Sequence, residues 1–368
     1  MIEFILTGVI IGLFIGLIPG LHINSILPFL FLTNNENITA LIISSSIAFV
    51  FSSSFSTILF GVPSTDFLLI LPTHKLVKKG EAVKAIIISL NSMLLSVIFS
   101  IPFIFLLFLI KHFYSLFEKI IPVILIITLF SFVFKNKKSI IIVTLSGLLG
   151  FLTFHFNLLF PLLTGFFAVP NLLFSFDSKV NIQFFHKIKF SKKLIKTSFL
   201  ASFLSSFFSI IPTISSSIVS TVAEKLGKLD DEEFISFISS TNLSYMVFSF
   251  YALSLLNIAR SGSSVFLKTL EGNSFFYLGI ILISAGFSFF ICKKILFSIV
   301  KFYQKINPKL LPILGIFILI FISFLLNDFI GLLVLFTSSA IGLLAFMLKV
   351  PRVSCMSSLI IPTVFVLL

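Results

Sequence analysis

Apolar runs long enough to cross a membrane recur from one end of this chain to the other. LLPILGIFILIFISFLL (310–326) is one of them. A hydrocarbon core of ~30 Å takes ~20 helical residues, and that length serves as a ruler. Residues 38–62, 85–110, 117–134, 234–258, 274–292, 310–326, 328–348 and 353–368 each match about one crossing. The runs are continuous and lack the two-residue alternation of a membrane β-barrel. Only 11% of the residues are charged, against about a quarter in soluble domains. The expected class is therefore an all-α polytopic membrane protein.

Three segments do not fit the ruler. Residues 139–175 would make a helix of ~55 Å, so two passes are expected, turning near His155-Phe156-Asn157. Residues 4–32 would reach ~43 Å and are interrupted by Pro19-Gly20, where a helix breaks. Neither limb is long enough to cross, so a re-entrant hairpin is expected at 4–32. Residues 194–222 repeat the pattern, with the break at Ile211-Pro212-Thr213.

Charge tests that count. The formal net charge is +13, but the lysines sit in short connections, which is the positive-inside pattern and not a nucleic-acid footprint. They cluster at Lys75 to Lys84, Lys135 to Lys138, Lys179 to Lys196 and Lys293 to Lys309, followed by Lys349 and Arg352. With both broken segments as hairpins, every cluster falls on the cytoplasmic side and the N-terminus outside. Cys292 and Cys355 are isolated, and no metal-ligand spacing or phosphate-binding loop occurs.

The two halves are alike in outline. Each starts with a Pro-broken hairpin and continues into a polar-studded broken helix. One comprises 1–175, with hairpin 4–32 and broken helix 38–72. The other comprises 194–368, with hairpin 194–222 and broken helix 234–264. A basic cytoplasmic linker, 176–193, joins them. Each half holds five crossings, an odd number, so the second half is inserted in the opposite sense. Inverted repeats whose broken helices meet at the midplane are a transporter architecture.

Unwound backbone at membrane depth is tolerated only where protein or a water-filled cavity satisfies it. This gives the stretch IPGLHINS (18–25) a purpose. Its tip offers free amides together with Gly20, His22, Asn24 and Ser25 as ligand contacts. The second tip offers Thr213, Ser215, Ser216 and Ser217. The Ser-rich helices add Ser53, Ser54 and Thr57 in one half and Thr241, Asn242 and Ser244 in the other. Small residues of this kind also serve close helix packing. Asn242 is the sharper candidate, because a buried amide in a membrane needs partners. Arg260, one of two arginines, has a planar fork suited to a carboxylate, and Ser261 follows it. Asp66 is expected to coordinate a cation or accept a proton, or else to cap a helix end.

Three stretches carry a resemblance to a known family. They are GLIPGLHIN (16–24), the segment from ILFGVPST (58–65) to KKGEAVKAI (78–86), and IARSGSS (258–264), with RVSCMSSLIIP (352–362) as a weaker fourth. In order and spacing the chain resembles the TctA-type large permease subunit of tripartite tricarboxylate transporters. The resemblance implies an ion-driven carrier for carboxylates with an inverted-repeat fold, moving its site as an elevator. It implies a small membrane subunit and an extracytoplasmic binding protein as partners. The chain departs from the family at His22, where relatives carry glycine. It departs again at Thr213, where a Pro-Gly pair is expected, and at LPTHKL (71–76).

The expected function is ion-coupled secondary transport of a small organic anion, a di- or tricarboxylate, with Na⁺ or H⁺ as coupling ion and no other cofactor. Pro19, Gly61, Ser64, Asp66 and Thr241 are the expected ion contacts. Two other readings stand beside it. One is an intramembrane enzyme acting on a lipid-linked phosphate, with His22 and Arg260 as its polar core. The other is a permease-like scaffold without transport.

Overall fold

The protein is described here from a computed structural model. It describes the chain except for residues 20, 28–29, 31–36, 61–69, 157, 175–190, 212–215, 217–218, 220–228, 260, 268–273, 308 and 368. The described residues are helical, with no strand among them. In chain order the helices are α1 (Ile2–Leu17), α2 (Ile38–Phe60), α3 (Ile70–Lys78), α4 (Ala82–Lys135) and α5 (Ser139–Thr153). Next come α6 (Leu159–Phe174, with a π-helical turn over Thr164–Ala168), α7 (Lys192–Phe208) and α8 (Asp231–Leu256). Then follow α9 (Gly262–Leu267), α10 (Ser274–Lys305), α11 (Leu310–Met347) and α12 (Ser357–Leu367).

Most of the breaks fall where the sequence places them. α1 stops at Leu17, and Ile18 turns extended (φ −86°, ψ 115°) ahead of Pro19. α7 stops at Phe208, just short of Pro212. The chain turns over 154–156, between α5 and α6. Within α11 the backbone leaves helical geometry at Asn327 (φ −142°) and Asp328 (φ 50°), between the two crossings expected there. The two apolar spans expected at 85–110 and 117–134 are found at Ala82–Leu109 and Lys119–Phe134 of α4, but the residues between them are helical too, where a connection is expected. The connecting residues KHFYSLFEK (111–119) include neither Gly nor Pro. Nothing there interrupts the i to i−4 bonds, and polar side chains alone do not end a helix.

The chain forms two compact units. One comprises Met1–His112 and Ser175–Leu311, the other Phe113–Phe174 and Pro312–Leu368. Each half of the sequence thus contributes to both. In the second unit, Ile142 on α5, Leu162 and Phe166 on α6, and Leu335 and Ala345 on α11 are buried, and Cys355 joins most of them in one cluster.

In the first unit, α2 is enclosed by protein along its whole span. That explains its composition. A helix with no lipid-facing side has no use for a ring of large apolar residues, and serine lets neighbours come close. α1 presents Gly8, Gly12 and Gly16 to it as one stripe. A Cβ on Gly12 would lie 2.8 Å from the Ser45 carbonyl carbon and 2.9 Å from Ala48 Cβ. Ser52 and Ser56 donate to the carbonyls of Gly12 and Gly16 at 3.2 and 3.1 Å. These pairs advance together along both helices, so α1 and α2 run parallel. α7 and α8 are parallel in the same way. Thr197 meets Ser236 at 2.7 Å, Ser240 donates to Ser198 at 2.8 Å, and Ser244 donates to Ser205 at 3.0 Å. α4 joins this second pair through Ser89–Ser239 and Ser92–Ser236, at 2.9 and 2.8 Å.

One end of the first unit is charged. Asp230 caps α8 in a reciprocal capping box with Glu233, which satisfies two of the free amides at the helix start. Lysines from three other places converge on this acidic turn. Lys75 reaches Asp231 at 3.0 Å, Lys84 reaches Glu232 at 2.6 Å, and Lys193 reaches Asp230 at 2.6 Å.

Candidate functional site

The interruption after α1 is a tight turn. Ile18 N–H bonds back to Ile15 O at 3.0 Å, and Ile23–Ser25 form a single 3₁₀ turn closed by Ile26 N–H to Ile23 O at 2.9 Å. Pro19, Leu21, Ile23 and Leu27 are buried around it. His22 caps this turn: its Nδ1 accepts the Asn24 N–H at 3.2 Å. The imidazole lies against Phe49 of α2, with ring centroids 4.7 Å apart. Tyr303, near the end of α10, donates its hydroxyl to the carbonyl of Leu17, the last residue of α1.

The second-half interruption faces this turn. α8 ends at Asn257 in the left-handed conformation (φ 56°, ψ 33°), with its N–H on Leu253 O at 2.9 Å. This is a common way to stop a helix. After it, Ser261 and Ser264 bond reciprocally, Ser261 N–H to Ser264 Oγ at 2.8 Å and Ser264 N–H to Ser261 Oγ at 3.1 Å. Ser249 of α8 donates to Ser261 at 3.0 Å, and Ser46 of α2 donates to Ser263 at 2.7 Å. Between them, Gly262 is pressed against the Asn24 carboxamide. A Cβ there would stand 2.5 Å from both Nδ2 and Oδ1. The Ile23–Ser25 turn of one half and α9 of the other thus meet directly.

Among the described residues of this unit, two carboxamide oxygens are buried without a hydrogen-bond partner, those of Asn24 and Asn242. A buried, unpaired polar atom costs about 1–3 kcal/mol, so each is a place where a ligand gains what the protein forgoes. Asn242 precedes Ser249 by seven residues, which sets both on one face of α8 about 10 Å apart. The free oxygens suit a cation, and the same side chains' NH₂ groups suit a carboxylate.

The other expected contacts divide. Ser53 and Ser54 are buried, but their hydroxyls bond back to Val50 O and Phe51 O at 3.1 and 2.7 Å. Thr241 does the same to Phe237 O at 2.8 Å, as expected of packing residues. Thr57 and Ser216 are buried. Ser25 takes part in the 3₁₀ turn. Gly20, Gly61, Ser64, Asp66, Thr213, Ser215 and Arg260 lie outside the described residues. Gly262, Ser249, Phe49 and Tyr303 are not singled out by sequence reading. Only the glycine within SGSS gives a local signal; the others are ordinary members of apolar helices until the fold is seen.

The profile of the tripartite tricarboxylate transporter TctA family matches residues 2–357. The chain belongs to the TctA family. It is 30% identical over 389 residues to an uncharacterized protein of Methanocaldococcus jannaschii, covering 98% of this chain and 97% of that relative. No solved structure matches it. Membership makes the chain a multi-pass membrane protein of a tripartite tricarboxylate transporter family. A transporter family gives no support to the intramembrane-enzyme reading.

Proposed function

We propose that this TctA protein is the ion-coupled permease for a small organic anion, a di- or tricarboxylate. It works by alternating access of the elevator type, with Na⁺ or H⁺ as the coupling ion. The observation that carries this reading is the meeting of two interrupted segments, one from each half, at Asn24, whose buried carboxamide oxygen has no hydrogen-bond partner. Broken helices that meet in this way are how secondary carriers hold substrate and ion.

The inverted repeat has support of its own. α1 and α2 are parallel, as the expected re-entrant hairpin at 4–32 requires of the helices it joins. α7 and α8 are parallel as well, as the second expected hairpin requires. α8 begins at the lysine-rich end, with Asp231 on Lys75. α3, which carries that Lys75, packs against α2 as well as α8, and in this reading α2 ends on the side where α8 begins. Under the positive-inside rule that end is cytoplasmic, and Met1 then lies outside. All the described site residues fall in the first unit, the one an elevator would move as a body.

Arg260 and the tip residues Thr213, Ser215 and Ser216 complete the anion contacts in this reading. Asp66, Gly61 and Ser64 complete the ion contacts. A small membrane subunit and an extracytoplasmic binding protein are the partners implied by a tripartite family. The test is substrate counterflow in proteoliposomes with citrate, succinate and malate, with and without Na⁺ and a pH gradient. Wild type exchanges at least one acid, and Asn24→Ala with Asn242→Ala abolishes it. Exchange that survives the double variant sinks the site.

A further inference from the structure

The His22 ring occupies a position where one proton decides the hydrogen-bonding sense of the turn. Its Nδ1 is the acceptor for the Asn24 N–H. Only an unprotonated nitrogen can accept, so this arrangement requires the neutral ring carrying its proton on Nε2. Once Nδ1 binds a proton both ring nitrogens are donors. The Asn24 amide then faces a donor, and the cap of the Ile23–Ser25 turn is lost.

The same residue bears the carboxamide pressed against Gly262, so a change at the cap is felt where the two halves meet. No other ionisable side chain among the described residues competes for this role. The turn packs against α1, α2 and α9. α1 carries only Glu3, in its first turn, at the opposite end from the cap. α2 and α9 carry none. α10, tied to Leu17 by Tyr303, holds Lys293, Lys294, Lys301 and Lys305 on its exposed face. Arg260, two residues before α9, is outside the described residues.

We infer that His22 is a proton-operated cap: neutral, it closes the turn on itself, and protonated, it turns the ring and the freed Asn24 amide into paired donors for an anion. The proton comes from water and goes to Nδ1, and no covalent bond changes. Binding of a carboxylate therefore takes up a proton at His22, which makes the carrier proton-linked through a residue that stands where the resembled family carries glycine. The inference rests on the carrier reading for its second half only. The switch itself is a property of the unliganded chain.

The experiment has two arms on the full-length protein in detergent or nanodiscs. In the first, ¹⁵N-histidine and ¹⁵N-asparagine spectra are followed from pH 8.5 to 3 without ligand. The His22 ring is assigned by its loss in His22→Asn, and the Asn24 amide by its loss in Asn24→Ser. At high pH the proton sits on Nε2, and the Asn24 amide shifts with the same midpoint as the ring. A proton on Nδ1 in the neutral ring, or an amide unmoved through the ring's titration, overturns the switch. In the second arm, succinate and citrate binding is measured by calorimetry in buffers of different ionisation enthalpy. Above the ring's midpoint, wild-type Kd rises about tenfold per pH unit beyond the acid's own titration. His22→Asn keeps a side-chain cap and removes that extra dependence. Equal pH dependence in the two proteins overturns the coupling. If neither acid binds either protein the carrier reading fails, and the nitrogen and amide shifts still decide the switch.

Discussion

Asn24 and Gly262 are fitted to each other: the carboxamide of one occupies the space where any side chain on the other would begin. This contact joins the first interrupted segment to the second. Gly262→Ala puts a methyl 2.5 Å from Oδ1 and Nδ2. Either the carboxamide swings away or the two segments separate. Overpacking costs about 1–3 kcal/mol, and because Asn24 can rotate, the lower end is expected for stability. Function is affected more. Counterflow should fall at least tenfold while the thermal midpoint in detergent drops by only a few degrees. Unchanged counterflow would remove Asn24 from the site.

Tyr303 gives a second handle on the same turn, from outside it. Its hydroxyl donates to the Leu17 carbonyl, one of the orphan acceptors at the end of α1. Tyr303→Phe keeps the ring and loses the bond, at about 1 kcal/mol. The α1 end then sets its own angle ahead of Pro19. A lower maximal rate is expected, with substrate affinity changed less. The measurement is initial uptake against concentration in proteoliposomes.

The sequence made much of this visible, for identifiable reasons. Apolar run length, Pro19 and Pro212 mark crossings and breaks because they act through local backbone geometry alone. The turn within α11 is legible at Asn327-Asp328, two residues that tolerate unusual dihedrals. The unbroken α4 is not, because charged residues at 111–119 read as a connection while leaving the helical bonds intact. Among site residues, His22 and Asn24 stand out as polar groups at a Pro-Gly break. Ser53 and Ser54 rank behind Asn242 in the sequence, but only the fold shows that their hydroxyls are already satisfied. Each is a buried polar residue on a central helix, and the distinction lies in whether its own helix offers a carbonyl in reach. A serine hydroxyl reaches i−3 or i−4, as at Val50 and Phe51, whereas the Asn242 oxygen, an acceptor, cannot bond a carbonyl. Tyr303 and Phe49 owe their roles to neighbours more than 20 residues away, beyond any local signal.

The α1–α2 seam makes a prediction about stability with little bearing on the site. At Gly12 a Cβ would strike the Ser45 carbonyl group, backbone that cannot rotate aside. Gly12→Ala therefore forces the helices apart and strains the Ser52 bond to the Gly12 carbonyl. A loss of about 3 kcal/mol is expected, the upper end for overpacking. Gly279 and Gly286 on α10 are the controls, since a Cβ at either meets nothing within 4 Å. Alanine there should be neutral or stabilising by up to about 1 kcal/mol. Thermal unfolding of the three variants side by side checks the contrast, and equal behaviour would refute the close-packed seam.

Asp230 links stability to pH at the charged end. Burial pushes its pKa up. The hydrogen bond from Lys193, the Glu233 backbone N–H and the lysine's charge outweigh this, and its carboxyl is held below the usual value. A depressed folded-state pKa contributes stability that is complete above the unfolded value, about 4, and is lost as pH falls through the folded one. Lys193 is shifted the other way, upward, chiefly by its hydrogen bond to Asp230. Its contribution is complete below the unfolded lysine value and fades only in strong alkali, so the acid limb belongs to the carboxylate. Asp230→Asn retains a good N-cap and removes the charge. At pH 7 it should lose only the ion-pair part, and below pH 4 its stability should converge on wild type. Asp230→Ala also removes the cap, costing a further ~1 kcal/mol that persists at low pH. Thermal midpoints of the three proteins between pH 3 and pH 8 separate the two effects. Parallel curves for wild type and Asp230→Asn would show that the carboxylate gains nothing from folding.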